Sequence, residues 1–238
     1  PYDSGSYASS TTYITGMAVV KACTELIEKI KSVGAARLET SVENVDFDGT
    51  KVYTLDNAKE ISLKDIANMD MCGSSDVLSV TASHHSPVSP PPFMCGAVEI
   101  ELDKETGKYS IIDYKAVVDC GIPINPALAR VQTEGGIVQG IGMAMYEDVI
   151  YDEKGNLYNN SLMQYKIPSR QDMGRLQVEF EHSHDPTGPF GAKSIGEIVI
   201  NTPSPAIAHA IYNATGVWFR ELPITPEKVL RGMVDIED

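Results

Sequence analysis

A single carboxylate follows a loop of small residues in the last quarter of the chain. The loop covers residues 188–196, its carboxylate is Glu197, and the apolar run Ile198-Val199-Ile200 follows directly. The three glycines of the loop allow tight turns or a close approach of the backbone to a ligand. Apolar surroundings disfavour the charged form of a carboxylate, which suits a general base near neutral pH. The same pattern is also typical of a carboxylate that begins a helix.

A run of hydroxyl residues precedes the first predicted helix. Ser9, Ser10, Thr11 and Thr12 stand just before a helical pattern over residues 13–33. Hydroxyls and free backbone amides at the start of a helix can receive a phosphate or another anion. Ordinary capping by Ser or Thr explains the run equally well. These residues are therefore candidate anion ligands or helix caps.

The predicted helix over residues 128–145 is unusually rich in glycine. Each internal glycine costs a helix roughly 1 kcal/mol relative to alanine, so close approach of another backbone or of a bulky ligand is expected. The spacing differs from a dinucleotide fingerprint, and the glycines lie inside the helix. Gln132 and Gln139 could offer amide hydrogen bonds to a polar ligand, or lie on the surface of a tightly packed helix. The glycines are Gly135, Gly136, Gly140 and Gly142.

Histidine and cysteine spacing argues against a protein-ligated metal. The pairs His84-His85 and His182/His184 lack the i, i+4 spacing of a helical zinc site, which favours structural or exposed histidines. None of the cysteines forms a Cys-x-x-Cys pair, so free buried thiols in a reducing cytoplasm are expected. The cysteines are Cys23, Cys72, Cys95 and Cys120.

Bulk composition limits the class of protein. The chain has 238 residues, of which 42% are hydrophobic, and a net charge of −14, enough for one large domain or two small ones. Such an acidic chain lacks the basic footprint of a nucleic-acid-binding protein. No apolar run reaches the roughly 18 residues of a membrane span. Without a recognisable signal peptide, a cytoplasmic location is expected. The opening at Pro1 is that of a processed chain or a piece of a longer one.

The periodicity predicts an α+β protein with mixed or antiparallel sheets packed against helices. Strands and helices alternate without a regular βαβ repeat. Helices are expected over 13–33 with Gly34 as the stop, from Ser62, over 128–145, over 203–215 with Gly216 as the stop, and from Pro226. Strands are expected in hairpins over 43–56, 97–118 and 147–158, and at 161–166 and 175–182, with an irregular stretch at 70–92. Residues 1–238 are assigned to one domain, with a possible subdivision into 1–92 and 93–238.

Taken together, several segments resemble one family in its own order. The chain resembles the C-terminal part of the molybdopterin-binding subunit of the xanthine dehydrogenase/aldehyde oxidoreductase family, the molybdenum hydroxylases. The resemblance covers nearly the whole chain and is weakest over 35–92. The matching segments are Asp3-Ser4-Gly5-Ser6 with Ser10-Thr11-Thr12, Val118-Asp119-Cys120-Gly121, the stretch from Gln132 to Gly142, Tyr165-Lys166-Ile167-Pro168, Gly191–Glu197, and Leu222–Glu227.

The resemblance implies a cofactor and roles for particular residues. In this family a molybdenum atom is held by a pterin dithiolene, and the glutamate of a Lys-x-x-Gly-Glu segment is the active-site base, here Glu197. Gln132 and the run Ser10-Thr11-Thr12 map onto segments that line the pterin and its phosphate. The loop residues Lys193, Ser194 and Gly196 belong to the same cofactor-binding segment. Metal ligands from the protein itself are not implied.

The resemblance also implies partners, because other family motifs are absent from this sequence. The Gly-Gly-x-Phe-Gly motif, the substrate-clamping residues and a further pterin loop belong to the N-terminal part of the molybdenum subunit. Iron–sulfur clusters and FAD are expected on other domains or subunits. We therefore expect these 238 residues alone to bind molybdopterin weakly and to be inactive.

Three functions stay open from the sequence. A xanthine or purine dehydrogenase-like hydroxylase, acting on an electron-poor C–H carbon with water-derived oxygen, is the first choice, with aldehydes or nicotinate-type heterocycles as alternative substrates. A non-catalytic structural or assembly fragment is the second. The third is an unrelated protein that binds phosphate ligands.

Overall fold

A computed structural model describes residues 5–73 and 78–237 of the chain. These residues divide into two units. One contains the described residues between 14 and 87, and the other contains residues 5–13 together with 88–237.

The unit of residues 14–87 packs two helices with a small sheet. Helix α1 (Gly16–Arg37) continues past the predicted stop at Gly34, so that prediction is wrong. A Cβ at Gly34 would lie 2.7 Å from the Cβ of Val52, which is fully buried. This glycine therefore serves close packing of α1 on the sheet. The core of the unit consists of Ile30, Ala35, Leu38, Val45, Val52 and Ile66.

The small sheet of this unit confirms the predicted hairpin. Strands β1 (Val45–Phe47) and β2 (Lys51–Thr54) pair antiparallel, and β3 (Glu60–Ser62) pairs antiparallel with β2. Helix α2 (Leu63–Gly73) follows as predicted, and Ser62 Oγ accepts the Asp65 N–H at 3.1 Å. The predicted irregular stretch begins later than residue 70: residues 74–77 lie outside the described part, and 78–92 form neither helix nor strand.

A three-stranded mixed sheet organises the second unit. Strands β4 (Phe93–Leu102) and β5 (Tyr109–Asp119) form the predicted antiparallel pair, and β6 (Arg175–Phe180) pairs parallel with β5. Helices and a mixed sheet confirm the α+β prediction. The core includes Tyr114, Ile137, Ile141, Ile207 and Ile211.

The helices of this unit match the sequence closely. Helix α3 (Pro126–Met145) begins two residues before the predicted start, and the Asn125 side chain accepts the Leu128 N–H at 3.1 Å. Helix α4 (Pro203–Thr215) ends at Gly216, whose φ of 78° is the left-handed conformation that favours glycine. Helix α5 (Pro226–Glu237) begins at the proline that the sequence indicated.

Two predicted strand regions are wrong. The hairpin over 147–158 is reduced to a single bridge between Tyr151 and Leu157. Asn159 explains this, because its amide donates to the Asp148 carbonyl and accepts the Ile150 N–H, taking up groups that a strand partner would use. Residues 161–166 form a turn in which the Ser161 carbonyl accepts two backbone N–H groups.

The glycines of α3 serve close packing against the segment after Glu197. A Cβ at Gly136 would lie 2.2 Å from Val199 Cγ2, and one at Gly140 would lie 2.8 Å from the Ile200 carbonyl oxygen. A Cβ placed at Gly135 meets no described atom within 4 Å beyond its chain neighbours and the backbone of its own helix. Close approach of another backbone therefore accounts for part of the glycine run.

This contrast predicts opposite effects at neighbouring positions of α3. We expect Gly136→Ala to lower the free energy of unfolding by about 1 to 3 kcal/mol, because the added methyl overpacks against buried Val199. We expect the matched control Gly135→Ala to raise it by up to about 1 kcal/mol, since it removes a helical glycine without a clash. Urea denaturation of both variants measures the difference, and equal effects would contradict the packing role.

Candidate functional site

One cleft in the unit of residues 5–13 and 88–237 brings together the segments that the sequence singled out. Its volume is about 430 Å³, within the range typical of small-molecule sites. Polar lining comes from the N-terminal hydroxyl run, from α3 and from the loop before Glu197. The residues that line it are Ser6, Ser9, Thr11, Thr12, Cys120, Ile122, Pro123, Ile124, Asn125, Leu128, Ala129, Gln132, Ala192, Lys193, Ile195 and Gly196.

Glu197 lies beside this cleft and is held by Ser9. The Ser9 hydroxyl donates to Glu197 Oε2 at 3.0 Å and accepts the Glu197 N–H at 2.7 Å. Glu197 precedes a short 3₁₀ turn (Ile198–Ile200) and makes no side-chain capping bond to it. The helix-start alternative is therefore not realised through the carboxylate.

The expected apolar surroundings of Glu197 are wrong for this chain. The Glu197 side chain is exposed, whereas Val199 is fully buried. The apolar run after Glu197 packs against α3 at Gly136 and leaves the carboxylate on the open side. Any enclosure of Glu197 has to come from outside these residues.

Gln132 connects α3 to the loop. Its exposed side chain donates from Nε2 to the Gly196 carbonyl oxygen at 3.2 Å. The amide thus lies at the edge of the cleft next to the residue before Glu197. Gln139, the other candidate on this helix, is exposed and does not line the cleft.

The hydroxyl run lies only partly in the cleft. Thr11 and Thr12 line it, and Thr11 Oγ1 lies 2.7 Å from Ser6 Oγ. The Ser10 side chain bonds to the preceding backbone, since its hydroxyl donates to the Tyr7 carbonyl at 2.8 Å. Thr11 begins a π-helical turn (Thr11–Thr15), so the helical stretch starts two residues before the predicted position.

The Lys193 ammonium pairs with Asp119, a residue of a matching segment that the sequence did not mark as part of the site. Lys193 is only 9% exposed, and its Nζ lies 2.6 Å from Asp119 Oδ2. The ammonium also lies 5.6 Å from the centre of the Phe93 ring, a cation–π distance. Its charge is therefore compensated inside the protein. Ser194, the next predicted residue, is half-buried.

Asp119 ends strand β5 and gathers hydrogen bonds from the loop. Burial works against its charged form, but hydrogen bonds from Lys193, from the Ser183 hydroxyl and from the Gly121 N–H outweigh this effect. They hold the pKa of Asp119 below its usual value. An acidic residue that closes an apolar alternating strand is the signal that could have identified it.

The backbone of the loop explains its glycines. A Cβ at Gly188 would lie 1.8 Å from the Ala192 carbonyl oxygen, so only glycine fits there. Phe190 adopts a φ of 52° although it is not glycine, and its side chain is 74% exposed. The loop is thus a tight, strained turn of the kind that concentrates at functional sites.

The remaining sequence expectations have mixed outcomes. Cys120 is buried, but Cys23 and Cys95 are exposed, so the prediction of buried thiols is wrong for those two. The Cys72 side chain lies outside the described residues.

In residues 5–73 and 78–237, no group of three or more His, Cys, Asp or Glu side chains could hold a metal ion. None of the described helices is long and apolar enough to cross a membrane.

The lining of the cleft fits one part of a pterin cofactor. A pterin presents hydrogen-bonding ring edges and a phosphate, and the cleft offers the Gln132 amide, the Thr11 and Thr12 hydroxyls and the start of a helical turn. The side chains of Ile122 and Leu128 provide apolar contact surface. The cleft is open and its one ammonium is already paired, so the fit is partial.

Fold and cleft together define a cofactor-binding domain. A mixed sheet and close-packed helices hold a cleft with a mainly apolar lining and a few polar groups. It lies between the N-terminal hydroxyl run, the glycine-rich helix α3 and the strained loop. The chain belongs to the molybdopterin cofactor-binding domain family, whose model matches residues 1–174.

Curated relatives extend the match over almost the whole chain. The probable hypoxanthine oxidase XdhD of Escherichia coli is 37% identical over 99% of this chain and 25% of its own length. The putative xanthine dehydrogenase molybdenum-binding subunit XdhA of the same organism is 34% identical over 96% of this chain and 31% of its own length. The chain thus spans a quarter to a third of these relatives.

The breadth of the family is visible in other matches. The nicotine 6-hydroxylase large subunit of Paenarthrobacter nicotinovorans is 31% identical over 99% of this chain and 31% of its own length. A solved CO dehydrogenase from Oligotropha carboxidovorans shares the fold, with a TM-score of 0.84 and 22% identity over 100% of this chain and 30% of that one. The names of the relatives give different substrates, and the CO dehydrogenase structure shows the shared fold alone.

Proposed function

We propose that this chain is the catalytic-base segment of a molybdenum hydroxylase that oxidises purine-type heterocycles. The observation that carries the proposal is the meeting of the Glu197 loop, Gln132 and the Thr11-Thr12 turn around one cleft. The names of the two Escherichia coli relatives favour hypoxanthine or xanthine as the substrate class.

The residues of this chain would have separate roles in holding the cofactor and in accepting a proton. The Gln132 amide and the hydroxyls of Thr11 and Thr12 would hold polar edges of the cofactor, with Gly196 allowing close backbone approach. When bound, the cofactor supplies two-electron redox chemistry and activates a water-derived oxygen. Glu197 would serve as the proton acceptor of the site, since its carboxylate is exposed and is held at Oε2 by the Ser9 hydroxyl.

The rest of the site would come from other sequence. The N-terminal part of the molybdenum subunit would complete the cleft, and iron–sulfur and flavin domains or subunits would remove the electrons. The open cleft and the exposed Glu197 support this division, because a general base works best where water is excluded. Lys193, Ser194 and Ser10 stay proposed cofactor-side residues that act through the shape of the loop and the helix start.

A substrate panel with the complete enzyme tests the proposal. We expect the complete enzyme to contain molybdenum and to turn over hypoxanthine with a kcat/KM at least about a hundredfold above that for an aldehyde or for nicotinate. We expect the isolated 238-residue chain to retain little molybdenum. A preference for aldehyde or nicotinate would show that the substrate class is not purines. A complete protein without molybdenum and without activity would favour the structural or assembly role.

A further inference from the structure

We infer that Ser9 is the residue that positions the Glu197 carboxylate. The inference rests on the proposed role of Glu197 as base, and it assigns a specific function to Ser9, which the sequence indicated only as a candidate anion ligand or helix cap. One hydroxyl contacts Glu197 twice: it donates to Oε2 at 3.0 Å and accepts the backbone N–H at 2.7 Å. Two contacts to one residue fix both its backbone and its side chain.

The backbone around Ser9 is strained in a way that serves these contacts. Ala8 and Ser9 adopt φ values of 50° and 56°, and neither is glycine. Non-glycine residues rarely enter this left-handed region, and two in succession need a structural reason. Here the conformation brings the Ser9 hydroxyl to Glu197, 188 residues away in the sequence.

The surrounding contacts hold this segment in place. Tyr13 is 3% exposed, and its hydroxyl lies 2.5 Å from Thr187 Oγ1 at the start of the loop. A Cβ at Gly196 would lie 2.9 Å from Ser9 Oγ, so the glycine before Glu197 makes room for the serine. Ser9 therefore reaches Glu197 from an anchored segment.

If Ser9 positions Glu197, removing the Ser9 hydroxyl should lower turnover because the Glu197 carboxylate loses its orientation. In the complete enzyme we expect Ser9→Ala to lower kcat about tenfold, with KM and molybdenum content unchanged, because the carboxylate loses its preferred orientation. Ser9→Gly removes the hydroxyl but relieves the backbone strain, and we expect the same loss. Ser110→Ala, an exposed serine on β5, is the matched control and should leave kcat unchanged.

A double-variant comparison separates this inference from the proposed function. In a Glu197→Gln background we expect Ser9→Ala to cause no further loss, since it acts only through the carboxylate. Amide exchange at Glu197 gives a readout free of the cofactor: Ser9→Ala should speed it at least about tenfold in the chain.

Each outcome has one interpretation. Wild-type turnover in Glu197→Gln would overturn the proposed base. An inactive Glu197→Gln variant with a fully active Ser9→Ala variant would overturn only the positioning role. Full activity in Ser9→Gly with loss in Ser9→Ala would assign the effect to backbone strain and also overturn it.

Discussion

Replacing Glu197 by glutamine in the complete enzyme should lower kcat by about 10³-fold while molybdenum stays bound. Glutamine keeps the size of the side chain and can still accept the Ser9 hydroxyl, but it cannot accept a proton. General bases contribute about 10² to 10⁴-fold to rate, so the loss should dominate the kinetics. Steady-state turnover together with metal analysis of the same preparation measures it.

A matched carboxylate separates loss of the base from loss of charge. Glu153 lies exposed in the turn at residues 152–155, outside the cleft, and Glu153→Gln should leave kcat within about twofold of wild type. If Glu197→Gln turned over as fast as Glu153→Gln, the structural or assembly role would be favoured. If molybdenum were lost together with turnover, Glu197 would be part of the cofactor support.

Most elements of this fold could be predicted from the sequence because neighbouring residues determine where they begin, turn and end. The hairpin over 43–56 and the helix start at Pro226 depend on neighbouring residues only. Gly34 misled the prediction because its role depends on Val52, which approaches helix α1 from strand β2. The hairpin at 147–158 failed because a side-chain amide, that of Asn159, bonds to the backbone of residues 148 and 150, and strand periodicity does not register such a contact.

The candidate site shows the same division between local and distant information. The sequence predicted Glu197, Gln132 and the Thr11-Thr12 turn as site residues, because motifs in order carry them, and the structure places them at or beside one cleft. The sequence did not reveal the roles of Ser9 and Asp119, which lie in contacts to Glu197 and Lys193 across 188 and 74 residues of sequence. The exposure of Glu197 could not be predicted from the sequence either, since the burial of this side chain depends on which residues surround the loop.

The second large effect is expected on stability, from Lys193→Met. Removing the ammonium leaves the Asp119 carboxylate, whose side chain is 20% exposed, without its cation. Breaking a buried ion pair in this way costs about 3 kcal/mol, measured by urea denaturation of the chain. Lys115→Met is the matched control: Lys115 Nζ lies 3.5 Å from Asp113 Oδ2, but its side chain is 62% exposed, so less than about 1 kcal/mol is expected.

The dependence of this effect on pH follows from Asp119. Because its pKa is lowered in the folded state, the stabilisation is complete above the unfolded value of about 4 and is lost as the pH falls through the folded value. The difference between wild type and Lys193→Met should therefore shrink below about pH 4. A difference that stays constant down to pH 2.5 would assign the effect to packing of the lysine stem.

The same variant decides between two roles of Lys193. The backbone N–H of Lys193 donates to the Cys120 carbonyl at 2.7 Å, and Gly121 and Ala192 form a bridge, so the ion pair fastens the loop to the end of β5. If this is its role, Lys193→Met loses stability in the chain without any cofactor present. If Lys193 instead binds the cofactor directly, the variant keeps its stability and the complete enzyme loses molybdenum. The compensated ammonium favours the first result, in which Lys193 supports Glu197 through the shape of the loop.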